Sequence, residues 1–146
     1  MAYCVENDVK ARIPTLTLAQ LTNDTANSTT TDTTVLSALI AAADAEIDAI
    51  LSDRFTVPFT GTIPPRIVDI SAVITIYRAQ ARRFGVMEVP RDWKDQYAAA
   101  LKELQAFVSG EHILVGITVK TFNEAAITAP EREVNFDDAD NQASYF

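Results

Sequence analysis

Apolar residues recur every three or four positions between Thr33 and Ser52, the spacing that gives an α-helix one apolar face. Asp32 or Thr33 suits the N-cap of this helix, because a short oxygen-bearing side chain accepts hydrogen bonds from the first free backbone N–H groups. The acidic residues of the stretch lie mostly beside or opposite the apolar face. The pattern predicts one long amphipathic helix.

Two further stretches with the same spacing each lie between a proline and a glycine. One opens at Pro64–Pro65 and stops at Gly85, and the other opens at Pro90 and stops at Gly110. Proline suits the first turn of a helix, where its missing N–H is not needed, and glycine commonly follows the last turn. Both stretches are predicted to be helices.

Shorter segments complete the predicted organisation. Thr15 to Leu21 indicates a brief helix, and Met1 to Ala11 indicates a short extended lead. Residues 23–31 are rich in Asn, Ser and Thr, which compete with helical hydrogen bonds, and they predict a polar loop. His112 to Phe122 is rich in β-branched residues and indicates extended structure.

The predicted fold is therefore mainly α. It consists of a small bundle of about four helices followed by an extended, partly β C-terminal arm. The predicted domain division places the helical domain at residues 1–122 and an acidic C-terminal arm or tail at residues 123–146. The arm is polar and acidic and includes the aromatic residues Tyr145 and Phe146. It has no apolar stripe of its own, so it is predicted either to be mobile or to become ordered against a partner.

Composition restricts the classes of function. The 146 residues, 48% hydrophobic, suit one domain. A net charge of −8 opposes approach to a phosphate backbone, which argues against a helix-turn-helix DNA binder. No apolar run reaches the ~18 residues of a membrane-spanning helix, and no export signal is indicated, so no membrane partner is expected. One cysteine cannot form an internal disulfide, which suits a reducing compartment.

Residues that could perform chemistry are few. His112 is the single histidine, too little for a His-rich metal site or a histidine relay. Cys4 lies near acidic residues in the predicted lead, and these raise rather than lower the pKa of a thiol. The acidic run at residues 137–141 lacks the glycine of a calcium loop, and the four glycines are too dispersed for a phosphate loop. No enzymatic activity, metal or cofactor is predicted.

Two surface features are candidate contacts with other subunits. Arg78, Arg82 and Arg83 form either a solvated basic face or a cationic patch that meets an acidic patch on a neighbouring copy. The residues around Pro58 form a rigid apolar corner that either packs on the helices or meets a partner. The complete set of predicted interface residues is Arg54, Phe55, Phe59, Arg78, Arg82, Arg83, Tyr145 and Phe146.

The stretch from Ala43 to Leu114 carries a recognisable set of packing motifs. They are an alanine-rich helix containing Glu46-Ile47-Asp48, an Arg-aromatic-x-x-Pro turn from Arg54 to Pro58, Tyr77-Arg78, and the run Tyr97-x-x-Ala100-Leu101-x-x-Leu104 ending at Gly110. This stretch resembles the Mu-like phage family long catalogued as a domain of unknown function. Members of that family are similar to head–tail connector or head-completion proteins.

The resemblance implies a virion structural protein made in the host cytoplasm, with no catalytic residues. It implies a ring, commonly of twelve copies, on the portal protein at the head–tail junction, with a platform for tail or neck proteins. Packaged DNA would pass close by without adhering if Asp44, Asp48 or the acids of the arm line the bore, because like charge removes the gain from counterion release. The alternative is a small cytoplasmic helical adaptor or regulatory module.

Removing the residues after Phe122 tests the predicted division of the chain. We expect the helical circular-dichroism signal of the monomer to be retained and assembly with other subunits to weaken, because the arm carries no helical stripe. A loss of helical signal would show instead that the arm belongs to the core.

Overall fold

A computed structural model describes residues 1–121, and within that range the chain is mainly helical. The elements are α1 (Glu6–Lys10), α2 (Thr15–Thr22), α3 (Thr33–Leu51), α4 (Pro65–Phe84) and α5 (Arg91–Ser109), with a short 3-10 turn, Val86–Glu88, between the last two. The prediction of a mainly α fold is confirmed.

The ends of the long helices follow the local sequence signals. Asp32 is the N-cap of α3, and its Oδ1 accepts hydrogen bonds from the backbone N–H of Thr34 and Val35 at 2.9 and 3.1 Å. Helices α4 and α5 begin at the expected prolines. They are followed by Gly85 and Gly110, whose φ angles of +84° and +86° favour glycine. Local chemistry therefore determines these boundaries.

The N-terminal segment differs from the predicted extended lead. Residues 6–10 form helix α1, and Tyr3, Cys4 and Val9 are buried. The Asp8 carboxylate accepts a hydrogen bond from the backbone N–H of Val5 at 2.7 Å, which satisfies a free donor at the start of the helix. The prediction was wrong because the segment gains its helical order by packing on α4. The described chain thus has five helices rather than about four.

Helix α4 is the centre of the fold. All seven residues from Ile70 to Ile76 are buried, so this part of the helix is enclosed around its whole circumference. One apolar cluster joins its first half to α3, α5 and the α3–α4 loop, and a second joins its second half to α1, α2 and the start of α3. Each of the other helices packs against α4.

The segment after α5 is less regular than the predicted extended structure. Within residues 112–121, the only pairing is an isolated antiparallel bridge between Phe55 and Val119. The Lys120 backbone N–H donates to the carbonyl oxygen of Arg54 at 2.9 Å, and Leu114 is buried. Phe122 and the predicted arm, residues 123–146, lie outside the described residues.

Arg54 closes the C-terminal end of α5. Its Nη1 donates to the carbonyl oxygens of Phe107 and Val108 at 3.3 and 3.2 Å, which satisfies acceptors that the helix itself leaves free. A Cβ atom added at Gly110 would lie 2.3 Å from this Nη1 atom. The glycine therefore makes room for the arginine that caps the helix.

The substitution Gly110→Ala should lower the free energy of unfolding by about 2–3 kcal/mol. It adds the left-handed backbone penalty of ~1–2 kcal/mol to the loss of about 1 kcal/mol of Arg54 hydrogen bonding. Urea unfolding measures the change.

The matched control is Gly61→Ala. Gly61 has a φ of +90°, but an added Cβ atom would meet nothing within 4 Å. The free energy of unfolding of this variant should therefore fall only by the cost of the left-handed backbone. Equal losses in the two variants would show that the contact with Arg54 contributes nothing.

Candidate assembly surface

Tyr3 fastens the N-terminus to the helical body. Its backbone N–H donates to Asp44 Oδ2 at 3.0 Å, and its hydroxyl donates to Asp48. The same hydroxyl accepts from the backbone N–H of Phe59 at 3.1 Å. Burial and the hydrogen bond to Asp48 raise the pKa of Tyr3, which keeps the phenol protonated as a donor. One side chain thus joins the N-terminus, α3 and the α3–α4 loop.

Asp44 lies inside the fold rather than beside the apolar stripe. It is buried, and Ser71 Oγ lies at hydrogen-bonding distance from both Asp44 Oδ1 (2.7 Å) and Cys4 Sγ (3.2 Å). Burial raises the pKa of both Asp44 and Cys4. Asp44 is therefore engaged within the subunit and cannot line a bore, which corrects one expectation. Cys4 is buried within the fold, whereas the sequence predicted that it lies in an extended N-terminal lead.

Arg78 belongs to a polar cluster between α3, α4 and α5. Its Nη2 lies 2.7 Å from Glu46 Oε2, and the Tyr97 hydroxyl donates to the same carboxylate. Burial and the neighbouring Glu46 raise the pKa of Tyr97 to about 12. The Tyr97 ring stacks on Tyr77, with centroids 4.0 Å apart and planes inclined by 4°. These contacts hold Arg78 beside a flat aromatic pair.

Arg82 and Arg83 contact the polar loop at residues 23–31. Arg82 Nη2 lies 2.7 Å from Asp24 Oδ2, and Arg83 Nη1 lies 3.4 Å from Asp24 Oδ1. The hydrogen bond and charge of Arg82 lower the pKa of Asp24. The basic residues therefore tie this loop to α4, and the sequence pattern contained no sign of that pairing.

A shallow groove of about 450 Å³ runs beside this basic cluster. We call it the arginine groove, and its lining residues are Leu39, Tyr77, Arg78, Ala81, Arg82, Val86 and Tyr97. It combines an aromatic pair, aliphatic side chains and two guanidinium groups one helical turn apart. Such a surface can bind a segment that carries both apolar rings and carboxylates.

The predicted apolar corner belongs to the core. Phe55 and Phe59 are each only 2% exposed, and their rings pack edge to face with centroids 6.4 Å apart. Arg54 is occupied as the cap of α5. Phe55 and Phe59 are therefore core residues rather than interface residues, and Arg54 is engaged within the subunit. Tyr145 and Phe146 lie outside the described residues.

The structure reveals exposed apolar residues that the sequence analysis did not single out. At the α4–α5 turn Val86 and Met87 are 58% and 86% exposed, and after α5 Ile113 and Val115 are 83% and 85% exposed. Since α5 has 19 residues, about 28 Å separates the two groups. The available signal was their position beside Gly85 and Gly116, outside every helical stripe.

Residues 1–121 contain no group of three or more His, Cys, Asp and Glu side chains placed to hold a metal ion. In the same range, no helix has the length and apolar character needed to span a bilayer.

The sequence model of a phage family, described as Bacteriophage Mu, Gp36, matches residues 3–132. The chain belongs to this family. The match covers all five helices and confirms the resemblance to Mu-like phage proteins seen between Ala43 and Leu114. No curated protein matches the sequence. The N-terminal network and the arginine groove are thus features of a Mu-type phage protein.

Replacing Tyr3 with phenylalanine tests the N-terminal network. Tyr3→Phe leaves the buried backbone N–H of Phe59 without its acceptor, so the free energy of unfolding should fall by about 1–3 kcal/mol. Chemical denaturation measures the loss.

Tyr77→Phe is the control, because the Tyr77 hydroxyl has no hydrogen-bond partner among residues 1–121. It should be neutral to within ~0.5 kcal/mol. Comparable losses in both variants would contradict a specific role for the Tyr3 hydroxyl.

Proposed function

We propose that this Mu-type phage protein is a structural subunit of the virion at the head–tail junction. In this role it acts as a head–tail connector or head-completion protein. Copies assemble as a ring on the portal protein and provide a platform for tail or neck proteins around the DNA channel. The observation that carries the proposal is the exposure of apolar side chains at both ends of α5, in a chain that belongs to a Mu phage family.

The two exposed ends suit a protein that joins two different partners. Helices α4 and α5 pack together and are joined by a short turn, so the turn lies at one end of the bundle and Gly110 at the other. Each end presents two large apolar side chains to solvent, and their burial against a partner would favour association. One end can contact the portal and the other a tail or neck protein.

Ring formation requires two different, complementary patches on each subunit. The basic cluster on α4 is one such patch in a chain of net charge −8, and acidic residues supply the other. Residues 122–146 alone contain six of the 20 acidic residues but one of the 12 basic ones. Because Asp44 and Asp48 hold the N-terminus, an acidic bore would depend on other acids, including those beyond residue 122.

The proposed role requires no catalysis. Burial raises the pKa of four side chains, and each of them makes hydrogen bonds to another part of the fold: Tyr3, Cys4, Asp44 and Tyr97. Burial is the largest cause that raises the pKa of each of these four groups. These contacts support a structural role for the chain.

Substitutions at the two ends test the proposal in assembled particles. Met87→Asp and Val115→Asp should each reduce incorporation into purified virions and binding to an adjoining neck component by at least about tenfold, since each buries a carboxylate at a contact. Quantitative mass spectrometry of particles and co-sedimentation with portal protein measure the effect.

The control is Leu16→Asp, which makes a comparable apolar-to-acidic change at an exposed position on α2, outside the two segments that flank α5. Incorporation of this variant should equal that of the unchanged protein. Absence of the unchanged protein from purified virions would refute the connector role and favour the cytoplasmic adaptor. Normal incorporation of both end variants would refute the two-ended contact.

A further inference from the structure

We propose that the arginine groove binds residues 137–146 of a neighbouring copy. The proposal rests on the ring-forming function above, because it names the contact through which one subunit recognises the next. It assigns the groove to one ligand class, an acidic segment that also carries aromatic rings.

The groove offers both kinds of contact that such a segment needs. The stacked rings of Tyr77 and Tyr97 form a flat aromatic surface, and Val86 beside them is 58% exposed. Arg78 and Arg82 lie one helical turn apart and can each bind a carboxylate through two parallel N–H donors.

Residues 137–146 have the complementary composition. Asp137, Asp138 and Asp140 supply three carboxylates, and Tyr145 and Phe146 supply two rings. This composition is unlike that of the described surface, where 14 acidic and 11 basic residues are interspersed in residues 1–121. Charge complementarity therefore favours this segment as the occupant of the groove.

The arginines can accept an additional carboxylate. Arg78 uses Nε and Nη2 for Glu46, and a guanidinium has five N–H donors. Asp24 holds Arg82 and Arg83 through ion pairs in which its own side chain is 70% exposed. Pairs of that kind are weak, so a second carboxylate can join or replace Asp24.

The chain leaves the described fold at a surface separate from the groove. Lys120 donates from its backbone N–H to Arg54 O at 2.9 Å and from Nζ to Ser52 O at 2.6 Å. These bonds hold the chain at the end of α3, whereas the groove lies along the second half of α4. The point at which the chain leaves the described fold and the groove are thus two different surfaces. A ring of identical subunits is built from contacts between two different surfaces of each subunit. The 16 residues from 122 to 137 span up to about 55 Å, enough to reach a neighbour.

Photo-crosslinking of the full chain tests the contact. Tyr145→p-benzoylphenylalanine is introduced into ¹⁴N-labelled protein, which is mixed with unmodified ¹⁵N-labelled protein and assembled with portal protein. After irradiation, mass spectrometry should find cross-links from the ¹⁴N copy to peptides of the ¹⁵N copy that contain residues 77–97. Cross-links confined to the ¹⁴N copy, or directed elsewhere on a subunit or to the portal, would overturn the proposal.

Matched variants identify the groove as the binding site. The double variant Arg78→Gln and Arg82→Gln, made in the ¹⁵N copy, should lower the yield of these cross-links at least about fivefold. Arg91→Gln removes an arginine outside the groove whose side chain is 91% exposed, and it should leave the yield unchanged. Salt at about 1 M, where the Debye length is ~3 Å, should also lower the yield.

A variant outside residues 1–121 tests whether misfolding of the helical domain, rather than loss of the contact, lowers the cross-link yield. Asp137→Asn, Asp138→Asn and Asp140→Asn combined in the ¹⁴N copy should reduce the yield to the same degree while leaving α4 unchanged. An undiminished yield would overturn the role of these carboxylates. If the protein is present in virions but no groove cross-links form, this inference fails and the connector role stands. If the protein is absent from virions, the connector role itself fails.

Discussion

The enclosure of α4 is the constraint on which the rest of the structure depends. A helix that is buried on every side from Ile70 to Ile76 must be covered by several neighbours, and in a short chain almost every other element is needed for that purpose. This requirement explains why the N-terminal residues become helical and buried. Their order follows from the surface they cover, because a five-residue helix is not stable in isolation.

The enclosure of α4 also determines which polar side chains are buried and must be hydrogen-bonded. Asp44, Ser71 and Tyr3 lie where elements meet, and each is paired because an unpaired buried polar group would cost several kcal/mol. Glu46, on α3, accepts hydrogen bonds from Arg78 on α4 and Tyr97 on α5 and so links these three helices. These polar side chains are therefore engaged in contacts between the elements of the described fold.

The contact surfaces are divided between the ends and one side of the bundle. Apolar side chains lie at both ends of α5, and the basic cluster lies along α4. In protein association, apolar burial generally supplies affinity, while charge complementarity sets register and the choice of partner. These separate surfaces belong to a member of a Mu phage family, and the proposed connector role assigns them to different contacts.

The sequence by itself determined the three long helices, because their apolar spacing, the Asp32 cap and the proline and glycine boundaries act within a few residues. Packing motifs likewise sufficed to indicate the family. The burial of Cys4 and Asp44, the pairing of Asp24 with the arginines and the inward position of Phe55 depend on residues dozens of positions apart. Such contacts exist only when the helices surround α4, so tertiary structure alone decided them, and with them which side chains remain exposed.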